Sequence, residues 1–424
     1  MTSPSEARPS AIVEPLDALL PELEALYKDL HAHPELSMQE TRTAGIAAGR
    51  LRDAGFEVTS GVGGTGVVGL LRNGDGPTVM LRADMDALPV REATGLPYAS
   101  TACATDRDGR TAPVMHACGH DMHVAWLSGA AKLLADARDR WRGTIMAVFQ
   151  PGEETAEGAR AMIDDGLFER FPKPDVVLGQ HVMVLPAGIV AGRPGAITSA
   201  ADSFRITLFG RGAHGSMPQA SVDPVVMAAA IVMRLQTIVS RELGVGEPAV
   251  VTVGALQAGT KANVIPEQAV LELNIRTFDE GVRDRVLAAI TRIVNAEAEA
   301  SGAPRPPEIV PLDRYPLVVN DEEAAARVRE ALSAHFGAER VHRTAPTSAS
   351  EDFGSFGGEW GVPSVFWFVG GTDPDIYAKA EAAGRLNEIP TNHNPAFAPV
   401  IHPTLRTGVE AMIAAAMAWI DARR

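Results

Sequence analysis

The chain is 424 residues long, with 46% hydrophobic and 21% charged residues, a globular balance with length enough for two or three domains. Its formal charge is −15, from 38 basic and 53 acidic residues, which repels phosphate backbones and argues against nucleic-acid binding. Two cysteines, Cys103 and Cys118, cannot build a disulfide framework, the opening MTSPSEARPS has no leader-like apolar run, and no apolar stretch is read as bilayer-spanning, so a cytoplasmic protein without membrane contact is expected.

In chain order, Pro15–His33 has apolar residues at helical spacing, and Met38–Ala54 predicts a second helix stopped by Gly55. Short apolar runs follow at Thr65–Leu71, Thr78–Arg82, Gly143–Phe149 and Val176–Gly179, separated by the helical stretches Val124–Arg138 and Gly158–Asp165. Strands alternating with helices predict an α/β domain with a mostly parallel sheet. Near Gly192 the pattern changes. Ser203–Phe209, Ala249–Gln257, Gln268–Thr277 and Glu308–Pro311 read as strands, and Asp223–Arg241 and Asp279–Ser301 as helices. The order β-α-β-β-α-β is that of a split βαβ, ferredoxin-like α+β unit. The α/β pattern then resumes, with a strand at Ser364–Val369 and a closing helix at Thr404–Ala422. The expected division is therefore a catalytic domain of residues 1–195 and 313–424, with residues 196–312 inserted as a lid or dimerisation domain.

Polar groups collect where α/β proteins place their sites, just after strands. Asp84 and Asp86 follow the run Thr78–Arg82, a pair that also suits a capped turn. Cys118 and His120, two apart around Gly119, can chelate a metal from one tight loop, although a lone Cys-x-His is more often a buried cysteine beside a turn. Glu153 and Glu154 follow the run Gly143–Phe149. Neighbours in sequence cannot point the same way, so one can ligate a metal while the other serves as a general base. His181 follows Val176–Gly179, and His393 lies in the loop Thr391–Pro395. Each has a bland structural reading alone, and together they offer ligands for two metals. In the inserted segment, His214 sits in a Gly-rich loop, where an ordinary surface histidine is equally in keeping, while Asn263 alone reads as a turn residue and Arg276 alone as a solvated strand end.

These motifs together resemble the M20 metallopeptidase family, and within it the amidohydrolase branch of hippurate hydrolases, N-acyl amino acid aminoacylases and auxin-conjugate hydrolases. The resemblance runs from His31-Ala32-His33-Pro34-Glu35 through Arg82–Pro89, His116–Asp121, Gly152–Glu154, Gly210–Pro218, Asn263–Pro266 and Ser350–Phe353 to His393–Phe397. It implies a metal-dependent amidohydrolase that splits N-acyl amino acids into a carboxylic acid and an amino acid. It implies five ligands, Cys118, His120, Glu154, His181 and His393, for two divalent ions per subunit, with Cys118 as the bridge. Zn²⁺ is favoured by the thiolate, and Mn²⁺ or Co²⁺ are accepted by the other donors. It further implies Glu153 as general base, Asp86 as the residue orienting a ligand histidine, His214 as an oxyanion contact, Asn263 and Arg276 as holders of the substrate carboxylate, and a homodimer or higher homo-oligomer. The wider family has His-x-Asp where this chain has Asp84-Met85-Asp86, and a bridging aspartate where it has Cys118. Both departures agree with the amidohydrolase branch rather than with dipeptidases or aminopeptidases, the alternative reading. A non-catalytic binding protein would have no use for Glu153 beside Glu154.

Overall fold

The computed structural model describes Ala7–Arg107 and Gly109–Ala422. These fall into two compact units: residues up to Ile197 with Val319–Ala345 and the chain from Asp352 onward, and Thr198–Val318 with Pro346–Glu351. The crossings differ from the expected 195/196 and 312/313. The strand Glu308–Tyr315 runs past Pro311 because it stays paired with Ala200–Phe209 as far as Tyr315. The short return at Pro346–Glu351 has no sequence signal at all.

In the first unit, eight strands lie in the order Glu57–Val62, Gly66–Asn73, Trp141–Gln150, Thr78–Asp84, Val176–Pro186, Ser364–Thr372, Val190–Gly192 and Val341–Arg343. The middle of the sheet is parallel: Thr78–Asp84 pairs in parallel with Trp141–Gln150 and with Val176–Pro186, which pairs in parallel with Ser364–Thr372. Antiparallel pairing is confined to the flanks. Successive residues on a strand face opposite ways. Val79, Leu81, Ile145, Ala147, Phe149, Val176 and Leu178 accordingly share one core with the helices Leu16–Ala32, Thr41–Asp53, His120–Asp136, Glu322–Phe336 and Ile401–Met417. Burial on both faces explains the near-continuous apolar runs that marked these strands in the sequence.

The second unit is an antiparallel four-stranded sheet, in the order Ala249–Ala258, Gln268–Thr277, Ala200–Phe209, Glu308–Tyr315. Its core is formed with Pro224–Thr237 and Glu280–Ala300, and the split βαβ arrangement is present. By length and mean hydropathy, 1.3 over its apolar window, Pro224–Glu242 meets the requirement for a bilayer span, which corrects the expectation that no stretch does. Met227, Ala228, Ile231, Leu235 and Ile238 are nevertheless buried against the sheet, as in an amphipathic core helix.

Two further elements depart from the sequence reading. The helix expected from Val124 begins at His120, because it is buried nearly all round and its polar first turn hides its start. The helix expected to reach Ala422 ends at Met417, and Asp421–Ala422 instead adds an antiparallel bridge to Trp141–Arg142.

Candidate metal centre

The site is assembled at the carboxyl ends of the parallel strands. Asp84 closes one strand, in register with Gln150 of the next, and the chain after each strand supplies Asp86 or the turn Glu153–Thr155. His181 was expected just past a strand that ended at Gly179. The strand in fact continues to Pro186, pairing His181 with Phe368, and His181 lies within it. Gly119, at φ +83°, turns the chain into the helix His120–Asp136, so that Cys118 lies just before the helix and His120 opens it. A Cβ on Gly119 would stand 2.4 Å from Val182 Cγ1, so only glycine fits there.

Cys118, His120 and Glu154 bring their ligand atoms within 4.8 Å of one another. His181 Nε2 lies 3.4 Å from Cys118 Sγ, and His393 Nε2 lies 3.3 Å from Glu154 Oε2. All five expected ligands are thus linked in one cluster. Asn392 fastens the distant His393 loop to it, donating to the carbonyl oxygens of Cys118 and Val182 at 3.2 and 3.1 Å.

The hydrogen bonds sort the histidines. His181 Nδ1 donates to the Val182 carbonyl at 2.8 Å, which leaves the Nε2 lone pair facing Cys118. Burial, reinforced by His123, holds its pKa well below the usual value, so the ring is neutral. His120 Nδ1 lies 3.1 Å from Asp86 Oδ1. His120 Nε2 and Glu154 Oε1, both buried, have no hydrogen-bond partner and lie 3.9 Å apart. Two such buried atoms facing each other fit a cation between them. His123 was not singled out in the sequence, although it is clustered with Asp84, His120 and His181. It is fully committed: Nε2 accepts the Val182 N–H at 2.9 Å, and Nδ1 lies 2.5 Å from Asp84 Oδ1.

Charge at the centre is strongly coupled. Burial disfavours the His120 imidazolium, but Asp84, Asp86 and Glu154 outweigh it and raise the pKa to about 10. Burial and the carboxylates of Glu154 and Glu153 push the Cys118 thiol up. A divalent ion would displace both protons, coupling its uptake to pH.

A second tier holds the donors. Asp86 Oδ2 accepts from Ser37 Oγ at 2.7 Å and from the Glu154 N–H at 2.9 Å, so one carboxylate orients both His120 and the glutamate turn. Glu40, fully buried, accepts the Gly152 and Met38 N–H groups, each at 2.8 Å, and the Thr65 hydroxyl. Burial and Asp86 lift the Glu40 pKa to about 7. Below lies a buried knot in which Arg82 reaches Gln150, Asp84 and Asp352 at 2.8, 2.7 and 3.1 Å. Burial raises Asp352 to about 6. Glu153 is itself buried, at 5% exposure, on the same turn as Glu154.

The remaining expected residues lie in the second unit. His214 pairs with Val264, and the Asn263 carbonyl accepts the Gly215 N–H at 2.8 Å, which brings His214 and Asn263 together. His214 is exposed, on a two-residue strand rather than in a loop, with Nδ1 2.7 Å from Ser216 Oγ. Arg276 is anchored to Asn274, the Ser348 carbonyl and Ser350. It has no carboxylate partner among the described residues.

The family model for Peptidase family M20/M25/M40 matches residues 80–393, which hold every donor of the cluster. The chain belongs to peptidase family M20. It is 39% identical to a hippurate hydrolase of Campylobacter jejuni, over 79% of this chain and 85% of that protein. It is 37% identical to thermostable carboxypeptidase 2 of Saccharolobus solfataricus, over 81% and 84%, and 36% identical to an N-acetyl-L-cysteine deacetylase of Bacillus subtilis, over 85% and 82%. Among solved structures, an aminohydrolase described as putative from methicillin resistant Staphylococcus aureus superposes with a TM-score of 0.84 at 30% identity, covering 97% of this chain and 99% of that one. The Bacillus subtilis YXEP protein, described as a dinuclear metal binding peptidase from the M20 family, superposes at 0.74 with 29% identity, covering 95% and 98%. This M20 member is thus a hydrolytic enzyme carrying a cluster of metal-ligand residues.

Proposed function

We propose that this M20 enzyme hydrolyses the amide bond of N-acyl amino acids, and that Cys118, His120, Glu154, His181 and His393 would hold two divalent ions for that reaction. The observation that carries this reading is the facing pair of unpartnered buried atoms, His120 Nε2 and Glu154 Oε1, with Glu153 beside it on the same turn. Zn²⁺ suits the thiolate, and Mn²⁺ or Co²⁺ suit the remaining donors. When bound, such ions supply Lewis-acid activation of water and of the amide carbonyl.

The chain's own groups do the rest. Glu153 takes a proton from the attacking water at its carboxylate and passes it to the leaving amine nitrogen. Asp86 keeps the His120 ring in its ligand orientation. We assign His214 the contact to the developing oxyanion, worth about 10²–10³ in rate. Arg276, a guanidinium without a carboxylate partner among the described residues, would grip the free carboxylate of the amino-acid half, with Asn263 as a further polar contact. The hippurate hydrolase and deacetylase relatives act on acyl amino acids by name. The carboxypeptidase relative keeps peptide cleavage as the second reading.

Self-association to a homodimer is supported by the inserted unit. Ala249–Ala258 is an edge strand with Val250 and Leu256 exposed, and Val226 and Met233 stand 65% and 71% exposed on the neighbouring helix. Two free cysteines, one exposed, suit a reducing, cytoplasmic setting.

The test is hydrolysis by protein stripped of metal and resupplied with Zn²⁺, Mn²⁺ or Co²⁺, across N-benzoylglycine, N-acylglutamines and dipeptides. Metal-dependent release of amino acid from the acyl substrates supports the reading. Cleavage of dipeptides alone transfers it to the peptidase alternative.

A further inference from the structure

One cavity is lined by residues other than the metal donors. It has a volume of about 320 Å³, and its lining includes none of the five candidate ligands. It opens at the far edge of the central sheet, where Val341–Arg343 pairs in parallel with Val190–Gly192 and the helix Glu322–Phe336 packs against them. Its floor is apolar, formed by Val328, Leu332, Val341 and Trp367. Its rim carries Arg193, Arg329 and Arg343 against the single carboxylate of Glu322.

Three guanidinium groups at one opening are notable on a chain of net charge −15. Neither Arg329 nor Arg343 has a hydrogen-bond or ion-pair partner among the described residues. Arg193 has only the Pro194 carbonyl, at 3.3 Å on its Nε. Several other arginines of this unit are paired with carboxylates, among them Arg42, Arg50, Arg72 and Arg406. The other polar groups in the wall are engaged: Asn320 donates to the Arg193 and Phe366 carbonyls and accepts the Phe366 N–H, and His342 Nε2 lies 3.0 Å from the Glu339 carbonyl. Recognition therefore falls to the guanidinium groups, whose planar fork matches a carboxylate.

We propose that this cavity is a binding site for a small carboxylate with an apolar body, such as an aromatic or medium-chain acid. The volume sits at the lower end of the range for ligand sites, about 300–1,000 Å³. A cation is repelled by the rim, and a bare inorganic anion would leave the apolar floor wet. The site does not depend on metal or on the catalytic reading.

The test is isothermal titration of metal-stripped protein with benzoate, with uncharged benzamide and inorganic phosphate as controls. Benzoate should bind, with benzamide and phosphate at least about tenfold weaker, as expected for loss of a charge-assisted hydrogen bond or of the apolar contact. The double variant R329A/R343A should weaken benzoate binding by a similar factor. Ala326→Phe fills the cavity from an exposed helix position that lines it, and it should do the same with thermal unfolding unchanged. The proposal is overturned if wild-type protein does not bind benzoate, if both variants bind it as wild type does, if phosphate or benzamide binds equally well, or if binding is lost in Arg276→Ala instead.

Discussion

Asp86 Oδ1 lies 3.1 Å from His120 Nδ1, while Asp86 Oδ2 accepts the Glu154 N–H at 2.9 Å. A single carboxylate therefore sets the direction of two candidate ligands, one through each oxygen. Asp86→Ala should weaken metal binding by about 10–100-fold, the usual cost of losing such a partner. Metal content after dialysis against a graded chelator checks this, and occupancy equal to wild type would remove Asp86 from that role.

Glu153→Gln conserves shape and removes the base. It should leave metal content and the unfolding midpoint near wild type and lower kcat by roughly 10²–10⁴. Steady-state kinetics on N-benzoylglycine or the best substrate found, beside metal analysis of the same sample, separates a lost base from a lost ligand.

Gly119→Ala should be costly in a way unrelated to chemistry. An alanine at φ +83° carries about 1–2 kcal/mol of backbone strain, and its Cβ would meet Val182 Cγ1 at 2.4 Å, adding about 1–3 kcal/mol of overpacking. Denaturant unfolding should show a loss of about 2–5 kcal/mol. A change under 1 kcal/mol would mean that the loop between Cys118 and His120 yields freely.

His31 predicts a pH dependence of stability. It is buried between Asp121 Oδ2 at 2.6 Å and Glu92 Oε1 at 3.0 Å. Burial opposes its charge, but those carboxylates overcome it and raise the pKa to about 10. Because the folded value lies above the unfolded one of about 6.5, the folded state holds the proton more tightly. The resulting stability is fully present below about pH 6.5 and is lost as pH rises toward 10, at no more than about 1.4 kcal/mol per pH unit. Unfolding free energies of wild type and His31→Gln, measured from pH 6 to 10, should converge at the alkaline end. Parallel curves would show that His31 carries no such charge.

The candidate donors were legible as a set, through their order along the chain as in the family it resembles, because each local signal alone has a bland reading. Cys118 and His120 are a chelating spacing, and Glu153 and Glu154 are adjacent after an apolar run. The groups that hold them were not, since their partners are remote. His123 meets Asp84 39 positions away, Glu40 meets the Gly152 N–H at 112, and Asn392 meets Cys118 at 274. A buried polar side chain declares itself only through the partner that satisfies it, and a single sequence does not state which residues pair. Fold class was readable for the complementary reason. A strand covered on both faces must be apolar throughout, whereas the alternation in Ser203–Phe209 marks a sheet covered on one. The bounds Gly179 and Val124 missed because polar ligands interrupt the apolar pattern at the very ends that carry the site.

The cluster draws its members from segments spread between residues 118 and 393, and Asn392 ties the last of them to the first. Bringing such distant segments together carries a loop-closure cost that is recovered only when the chain between them has folded. The centre is consequently a record of completed folding. A chain arrested before Asn392 would lack His393 and its tether and could not offer the full set. Metal retention would then discriminate finished molecules from nearly finished ones, and would slow the return to the unfolded ensemble by binding only the former.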